Sequence, residues 1–397
     1  MTNIVSGRPD ARLRILHVVT MLEMGGAQWN TILSAEEARR RGHESWVAAA
    51  PGALEKEAAD RLGRGYIPVR SLVREIAPVR DAEALSTLRE IIRRLRPDIV
   101  HTHSSKAGIL GREAARAEHV PAVVHTAHGW AFHDHQPPVV RAIYQAVERR
   151  AARLTDRIVV VADANREKAL SAGIGRPEQY VTIRSGISVD TALLMQRGET
   201  RRELDIPPEA PLMIAVGNFK PQKAPIDLSR TAARVLAANP DAHFIVAGDG
   251  PLRAKVEALL APWSSRVRLL GWRSDATRLL AASDLLLHTA LFEGLPRVIL
   301  EAAALGVSCV STNVDGIPEA VRDGDTGMLF PPGAVENMAD AAGELLRDRD
   351  RRAAMGDRAR VAFRDEFTLE EMFRRLEHLY QELAAEKQLA RLAGSGS

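Results

Sequence analysis

Residues 212–250 read LMIAVGNFKPQKAPIDLSRTAARVLAANPDAHFIVAGDG. An apolar run, Leu212–Val216, breaks at Gly217. An amphipathic stretch, Ile226–Ala238, follows, and a second apolar run, His243–Ala247, ends in Gly248-Asp249-Gly250-Pro251. Short apolar runs without polar alternation mark strands buried on both faces, and the segment between them has helical periodicity. The stretch is therefore a strand–helix–strand unit of a parallel sheet. Its glycine turns fall after the carboxyl ends of strands, where open parallel sheets bind ligands.

The same alternation extends in both directions. Downstream, strands are predicted at Val267–Leu270, Asp284–His288, Ser308–Thr312 and Gly327–Phe330, with helices at Leu252–Leu260, Asp275–Ala282 and Pro296–Leu305. Three helical stretches close the chain near Leu392. Upstream, strands are predicted at Leu13–Thr20, Ser45–Ala50, Asp98–Thr102, Ala122–Thr126, Arg157–Ala162 and Tyr180–Arg184. Between the two series, Ser185–Pro211 has few strand signals and ends in RGETRRELDIPPEAP, which reads as a linker. The expectation is an α/β chain of two Rossmann-like units, 1–190 and 191–367, facing across a cleft. A last helix at about 368–392 is expected to pack back on the first unit, and residues 393–397 read as a linker scar.

Composition narrows the function. Of 397 residues, 46% are apolar and 26% charged, which suits a folded globular chain rather than a disordered one. A single cysteine excludes an internal disulfide framework and a Cys-based zinc site. No apolar run approaches the ~20 residues of a membrane span, and the polar start lacks a signal-peptide core, so a cytoplasmic protein is expected. Residues 1–190 hold 28 Lys and Arg against 22 Asp and Glu, a charge of +6, and the remainder 26 against 29, or −3. A basic first half suits a phosphorylated or membrane-bound partner, and no nucleic-acid motif accompanies it. GDGP does not fit the G-x-G-x-x-G dinucleotide fingerprint, so hydride transfer loses support.

Candidate site residues cluster after strands. Gly217, Asn218, Lys220 and Lys223 form a loop suited to an anion. In Phe292-Glu293-Gly294-Leu295-Pro296, the amides of Gly294, Leu295 and Arg297 are expected to point out of a helix start, an arrangement that binds phosphate. Glu301 lies inside the apolar helix VILEAAAL, about two turns beyond Glu293. Either it accepts hydrogen bonds from ribose hydroxyls or it pairs with a nearby arginine. In the first half, Gly25-Gly26, Ser104-Ser105-Lys106 and His128-Gly129 follow strands. His101, His103, His125, His128, His133 and His135 raise the question of a metal, but no carboxylate spacing matches a metal motif, so no metal is expected.

Together these residues resemble the retaining GT-B glycosyltransferases of family 4. The E-x7-E segment Glu293–Glu301 is the most specific part, and the GG loop, His128-Gly129, Gly217…Lys223 and GDGP accompany it in order. The resemblance implies a hexosyl- or N-acetylhexosaminyltransferase that uses a nucleotide-sugar, most often a UDP-sugar, without a cofactor. It implies that Glu301 binds the ribose, and that Glu293 with the Gly294 and Leu295 amides holds the donor sugar and diphosphate. Lys223 would neutralise the leaving diphosphate, Gly26 would approach the distal phosphate, and His128 would contact the sugar. Gly25, Gly217, Lys220, Gly248 and Arg273 would complete the donor site. The family commonly has arginine at Asn218, for which Lys220 is an imperfect substitute. It also commonly reads N-G-I-D where this chain has Ser185-Gly186-Ile187-Ser188. The segments 101–112 and 128–133 resemble transferases of bacterial surface polysaccharides, many of which act on polyprenyl-diphosphate sugars at the cytoplasmic membrane face. Ser105, Lys106 and Trp130 are the corresponding acceptor-binding candidates. The alternatives are a nucleotide-sugar epimerase of the same fold, a small-molecule glycosyltransferase and a non-catalytic nucleotide-sugar-binding subunit.

Overall fold

The computed structural model describes residues 12–394, with side chains to 388. Residues 395–397 of the expected linker tail lie outside the described residues, and Ala393 and Gly394 end the last helix. Two compact units form. The first runs to Arg184 and takes the chain back from Glu370, and the second is Ser185–Leu369.

The first unit holds β1 (Arg14–Met21), β2 (Glu44–Ala50), β3 (Tyr66–Pro68), β4 (Ile99–His103), β5 (Ala122–Ala127), β6 (Arg157–Val160) and β7 (Tyr180–Thr182). They form one sheet in the order β3-β2-β1-β4-β5-β6-β7, with every pairing parallel. Strand β3, too short to show periodicity, is absent from the sequence expectation. Alternate residues of the central strands feed opposite cores. Leu16, Val18 and Val100 pack with Leu88 on one side, and Val19 and Val47 pack with Ile32 on the other. The direction of winding reverses between β1 and β4, which opens a crevice at their carboxyl ends.

The helix Leu369–Gly394 carries the last residues of this unit. Leu376, Leu379, Tyr380 and Leu383 are buried along one stripe. Polar contacts set its register: the Tyr380 hydroxyl meets His101 Nδ1 at 2.6 Å, Glu377 meets His43 Nε2 at 3.0 Å, and Arg157 donates to Glu386 at 2.6 Å.

The second unit holds β8 (Leu212–Val216), β9 (His243–Ala247), β10 (Val267–Leu269), β11 (Leu285–His288), β12 (Ser308–Thr312) and β13 (Met328–Phe330). Their order is β10-β9-β8-β11-β12-β13, again all parallel, with the reversal between β8 and β11. No helix of the described residues is long and apolar enough to cross a membrane.

The segment expected to be a linker is a folded part of this unit. Its short helix Arg197–Glu203 presents Arg201, whose side chain is 2% exposed. Arg201 donates to the carbonyls of Ala282, Pro208 and Ala210 and to Asp284 Oδ2, at 2.7–3.0 Å. Asp284 also accepts from Arg197 and from the Leu212 amide, and Arg352 lies 3.5 Å away. Burial alone would raise the Asp284 pKa, but these partners outweigh it and hold it below the usual carboxylate value. The run RGETRRELDIPPEAP reads as linker because it is rich in charge, and the carboxylate that neutralises Arg197 and Arg201 lies more than 80 positions later. Removing one partner of a buried ion pair strands the other, at a cost of about 3–5 kcal/mol. Arg201→Leu should lower the unfolding free energy of the second unit by that amount in urea titrations, and a loss below about 1 kcal/mol would show that the network is not needed.

Candidate functional site

In the second unit the site is built on the loops after β8 and β11, at the reversal point. The β8 loop leaves through Gly217 (φ +156°) and reaches Lys223 by a turn that includes Ala224 at φ +43°. Two stitches hold that turn to the chain after β11: Thr289 Oγ1 donates to the Lys223 carbonyl at 2.9 Å, and the Leu291 amide donates to the Gln222 carbonyl at 2.8 Å. Thr312 fixes the next residue by exchanging two hydrogen bonds of 2.9 Å with the Ala290 backbone. The Glu293 amide donates to Asp315 Oδ2 at 2.8 Å. Together these bring the Lys223 ammonium into a direct ion pair with Glu293 Oε1 across 70 residues of sequence. Both side chains are largely shielded, 22% and 10% exposed, so the pair is more than a solvated surface contact.

His288, the last residue of β11, was not foreseen. Its Nδ1 meets Ser311 Oγ at 3.1 Å, while its buried Nε2 has no hydrogen-bond partner among the described residues and lies 3.9 Å from Glu293 Oε1. Burial, and then the charge of Lys223, push its pKa well below the ordinary histidine value, so the ring is neutral. Only its place at a strand end, shared with many core residues, pointed to it in the sequence.

In the E-x7-E segment the helix begins at Arg297, one residue after the predicted start, with Pro296 at its cap, so Glu293 lies in the preceding loop and Glu301 within the helix. Among the described residues no protein acceptor takes the amides of Gly294 or Leu295. Glu301 stands one turn into the helix and contacts Arg297 Nη2 at 3.4 Å. Burial raises its pKa, with Arg297 pulling the other way. Here the arginine-paired alternative is the arrangement observed.

Several donor-site candidates have packing roles. A Cβ on Gly248 would lie 1.8 Å from the Gly217 carbonyl oxygen, so the close neighbour that requires glycine is the protein's own β8 loop. Gly248 bridges to Gly271, which places Arg273 beside that loop, exposed and ion-paired with Asp275 at 2.6 Å. Lys220 is exposed, and its amide donates to Asn218 Oδ1 at 3.3 Å.

In the first unit the corresponding loops follow β1, β4 and β5. Gly25 caps the helix Gly26–Arg40 with φ −170°, extended backbone that any residue adopts. Ser104 has φ +61°, and its hydroxyl meets Thr20 Oγ1 at 2.7 Å, which ties the β4 loop to the end of β1. Ser105 starts the helix Ser105–Ala117. Lys106 is not a free cation. Its ammonium pairs with Asp81 at 2.6 Å and with the Glu75 carbonyl, so an anion would have to displace them. Trp130 is a packed side chain. It is 9% exposed, stacks on Phe132 with ring centres 5.6 Å apart, and donates its indole N–H to the Asn165 carbonyl at 2.8 Å. Its place is a core formed with Ala152, Ile158 and Ile174, which corrects the acceptor reading.

Comparison with known proteins identifies the architecture. The profile of glycosyltransferase family 4 matches residues 24–191, and that of glycosyl transferases group 1 matches residues 210–348. The chain belongs to the family-4 glycosyltransferases. Its relatives include the Escherichia coli UDP-Gal:α-D-GlcNAc-diphosphoundecaprenol α-1,3-galactosyltransferase, 29% identical over 350 residues that cover 85% of this chain and 89% of the relative. The Bacillus anthracis N-acetyl-α-D-glucosaminyl L-malate synthase is 33% identical over 49% of this chain and 52% of its own length. HepE of Anabaena, solved with UDP and glucose, superposes with a TM-score of 0.79 at 22% identity, over 94% of this chain and all of that one. This glycosyltransferase therefore has the GT-B fold, and it is an enzyme that transfers sugars.

His128 of the glycosyltransferase, itself partly exposed, lies against a set of buried imidazoles. His17, His101, His103 and His125 are all nearly inaccessible. Desolvation lowers the pKa of His17 to about 3 and of His128 to about 4, and pushes those of His101, His103 and His125 well below the ordinary value. Unfolding frees them to bind protons near pH 6.5. The unfolded chain therefore takes up more protons below that pH. Stability is full above pH 7 and falls as the pH drops from 6.5 toward 4, by up to about 1.4 kcal/mol per pH unit for each proton. The first unit should show a lower thermal midpoint at pH 5 than at pH 7.5. A midpoint that stays level across this range would mean that the histidines are not held neutral.

Proposed function

We propose that the glycosyltransferase moves a hexose or N-acetylhexosamine, with retention of configuration, from a UDP-sugar to a glycan or polyprenyl-diphosphate-linked acceptor of bacterial surface-polysaccharide synthesis. The observation that carries this reading is the shielded Lys223–Glu293 pair beside the Gly294 and Leu295 amides. An incoming diphosphate competes for the Lys223 ammonium and frees Glu293 to accept hydrogen bonds from sugar hydroxyls. The amides ahead of helix Arg297–Leu305 and the helix dipole receive phosphate oxygens. Glu301 serves the ribose, with Arg297 screening its charge. As the bond from the anomeric carbon to the diphosphate breaks, charge grows on the leaving oxygen, and groups already in place stabilise it without reorganising. The acceptor oxygen bonds to the anomeric carbon on the same face, and its proton passes to the departing phosphate. Lys223, Lys220 and the amides supply the countercharge, so the reading calls for no metal. The extensive match to a galactosyltransferase acting on a diphosphoundecaprenol sugar supports the lipid-linked acceptor.

Glu293→Ala and Lys223→Ala should each lower UDP release from UDP-sugars by about a hundredfold or more, with thermal midpoints unchanged. Near-normal turnover in either folded variant removes the assignment. The assay runs across UDP- and GDP-sugars, with and without a polyprenyl-diphosphate glycan. UDP-sugar consumed into an isomer without acceptor would favour the epimerase.

The first unit also offers a surface for the membrane on which such an acceptor resides. Helices Pro78–Leu95 and Pro138–Ala152 both pack on helix Ser105–Ala117, and each follows a carboxyl strand end. At their starts Ile76 and Val79 are 84% exposed, Val139 71% and Ile143 58%, and the exposed Arg80 follows Val79 in the chain. Apolar side chains next to basic ones suit the boundary of an anionic bilayer. The protein should sediment with phosphatidylglycerol vesicles at low salt, and Val139→Asp with Ile143→Asp should abolish sedimentation. If the wild-type protein stays in the supernatant, the membrane reading fails.

A further inference from the structure

Strands β1 and β4 run side by side with His17 paired to His101, and His103 lies two residues further along β4. His17 Nδ1 is 3.1 Å from His103 Nε2, and His103 Nδ1 is 3.2 Å from His128 Nε2. Three imidazoles thus form a hydrogen-bonded chain from the interior of the sheet to the loop after β5. The first two are buried and the last is partly exposed.

The cluster is poorly shaped for a metal. Ring nitrogens of His17, His101 and His103 lie within 4.8 Å of one another. A metal sits in the plane of each imidazole that binds it, along the nitrogen lone pair. His101 and His103 instead stack face to face, with centres 4.3 Å apart and planes inclined by 29°. Both nitrogens of His101 are already engaged, with Tyr380 and with Thr126.

Hydrogen-bond arithmetic gives the chain a direction. A neutral imidazole has one N–H and one lone pair, so the N–H groups along the chain all point the same way. If they pointed toward His17, its Nε2 would carry a hydrogen. Among the described residues that buried atom has no hydrogen-bond partner. A stranded buried N–H is rarer and costlier than an unused acceptor. The chain therefore runs outward: His17 Nδ1–H donates to His103 Nε2, and His103 Nδ1–H donates to His128 Nε2.

We propose that His17 and His103 are positioning residues that hold His128 in its Nδ1–H tautomer, presenting a neutral hydrogen-bond donor at the end of the chain. The proposal rests on the reading that His128 faces the sugar. Because the His103 N–H occupies its one lone pair, His128 cannot serve as a general base. It can donate to a sugar hydroxyl without placing a positive charge beside the developing oxocarbenium centre. Burial keeps all three rings neutral near pH 7.

Two-bond 1H–15N correlation of the full chain, labelled on histidine, reads each tautomer directly. His128 should show a protonated Nδ1 and a bare Nε2, the reverse of the form preferred by free histidine. His103→Leu should return His128 to the free-histidine pattern and lower kcat roughly tenfold, the scale of one hydrogen bond, with KM little changed. His103→Gln, whose amide accepts from His17 and donates to His128, should restore both tautomer and rate. A wild-type His128 protonated at Nε2, or a His103→Leu spectrum unchanged at His128, overturns the proposal. Turnover of His128→Ala separates the two readings. A wild-type rate there, with the spectra as expected, removes the role assigned to His128 and leaves the tautomer rail standing.

Discussion

A parallel strand can be followed by another only through a crossover over one face of the sheet, so each strand delivers the chain to the same edge. Both units are built entirely this way. The Gly217–Lys223 and Thr289–Glu293 loops leave adjacent strands at one reversal point, and the Gly25-Gly26 and Ser104–Lys106 loops leave adjacent strands at the other. Residues 70 or more positions apart are therefore a loop's width apart in space. At the opposite end of β11 the cost of this arrangement is visible. Asp284 gathers Arg197, Arg201, Arg352 and the Leu212 amide, and so locks β8 beside β11 before either strand reaches its functional loop.

The two units place charge differently. The second keeps opposite charges in contact, Lys223 against Glu293, with a neutral His288 beside them. Such a pair is a store of binding capacity, because a dianionic ligand exchanges one partner for another instead of meeting a desolvated lone charge. The first unit keeps its own buried pair, Arg112 with Glu148, beside His125, but sets no opposite charge against the other imidazoles of its cluster among the described residues. It relies on burial to keep imidazoles uncharged, so its polarity comes from directed hydrogen bonds and its donors stay fixed only while the rings remain dry. Water entering the cluster would allow protonation and scramble the direction of the chain.

Much of this was legible from local pattern. Short apolar runs located every strand except β3, and the loops after them contained Lys223, Glu293 and His128. What sequence could not supply was partnership. Lys106 and Trp130 looked free because Asp81 and Asn165, which engage them, lie 25 and 35 residues away with no signal linking them. The stretch around Arg201 looked like linker because its charge is neutralised by a carboxylate just ahead of β11. Glycine at 248 allows a ligand or a neighbouring chain segment to come close, and the Gly217 backbone is the neighbour that does. Each of these residues was read by what it offers, without knowing what the fold already sets against it.

His17 illustrates the same limit from the other side. Inside ILHVVT it is one polar residue in a buried strand, and nothing nearby in sequence suggests a purpose. A buried imidazole needs a partner for its N–H, and β4 supplies His103 at hydrogen-bond distance. Once that bond exists, His103 has only its Nδ1 left to offer, and the neighbour within reach is His128. The demand to satisfy one core donor thus passes outward through two rings and fixes the proton on a third. In this fold the satisfaction of the core and the chemistry of the loop above it are one constraint, because the same hydrogen-bond chain serves both.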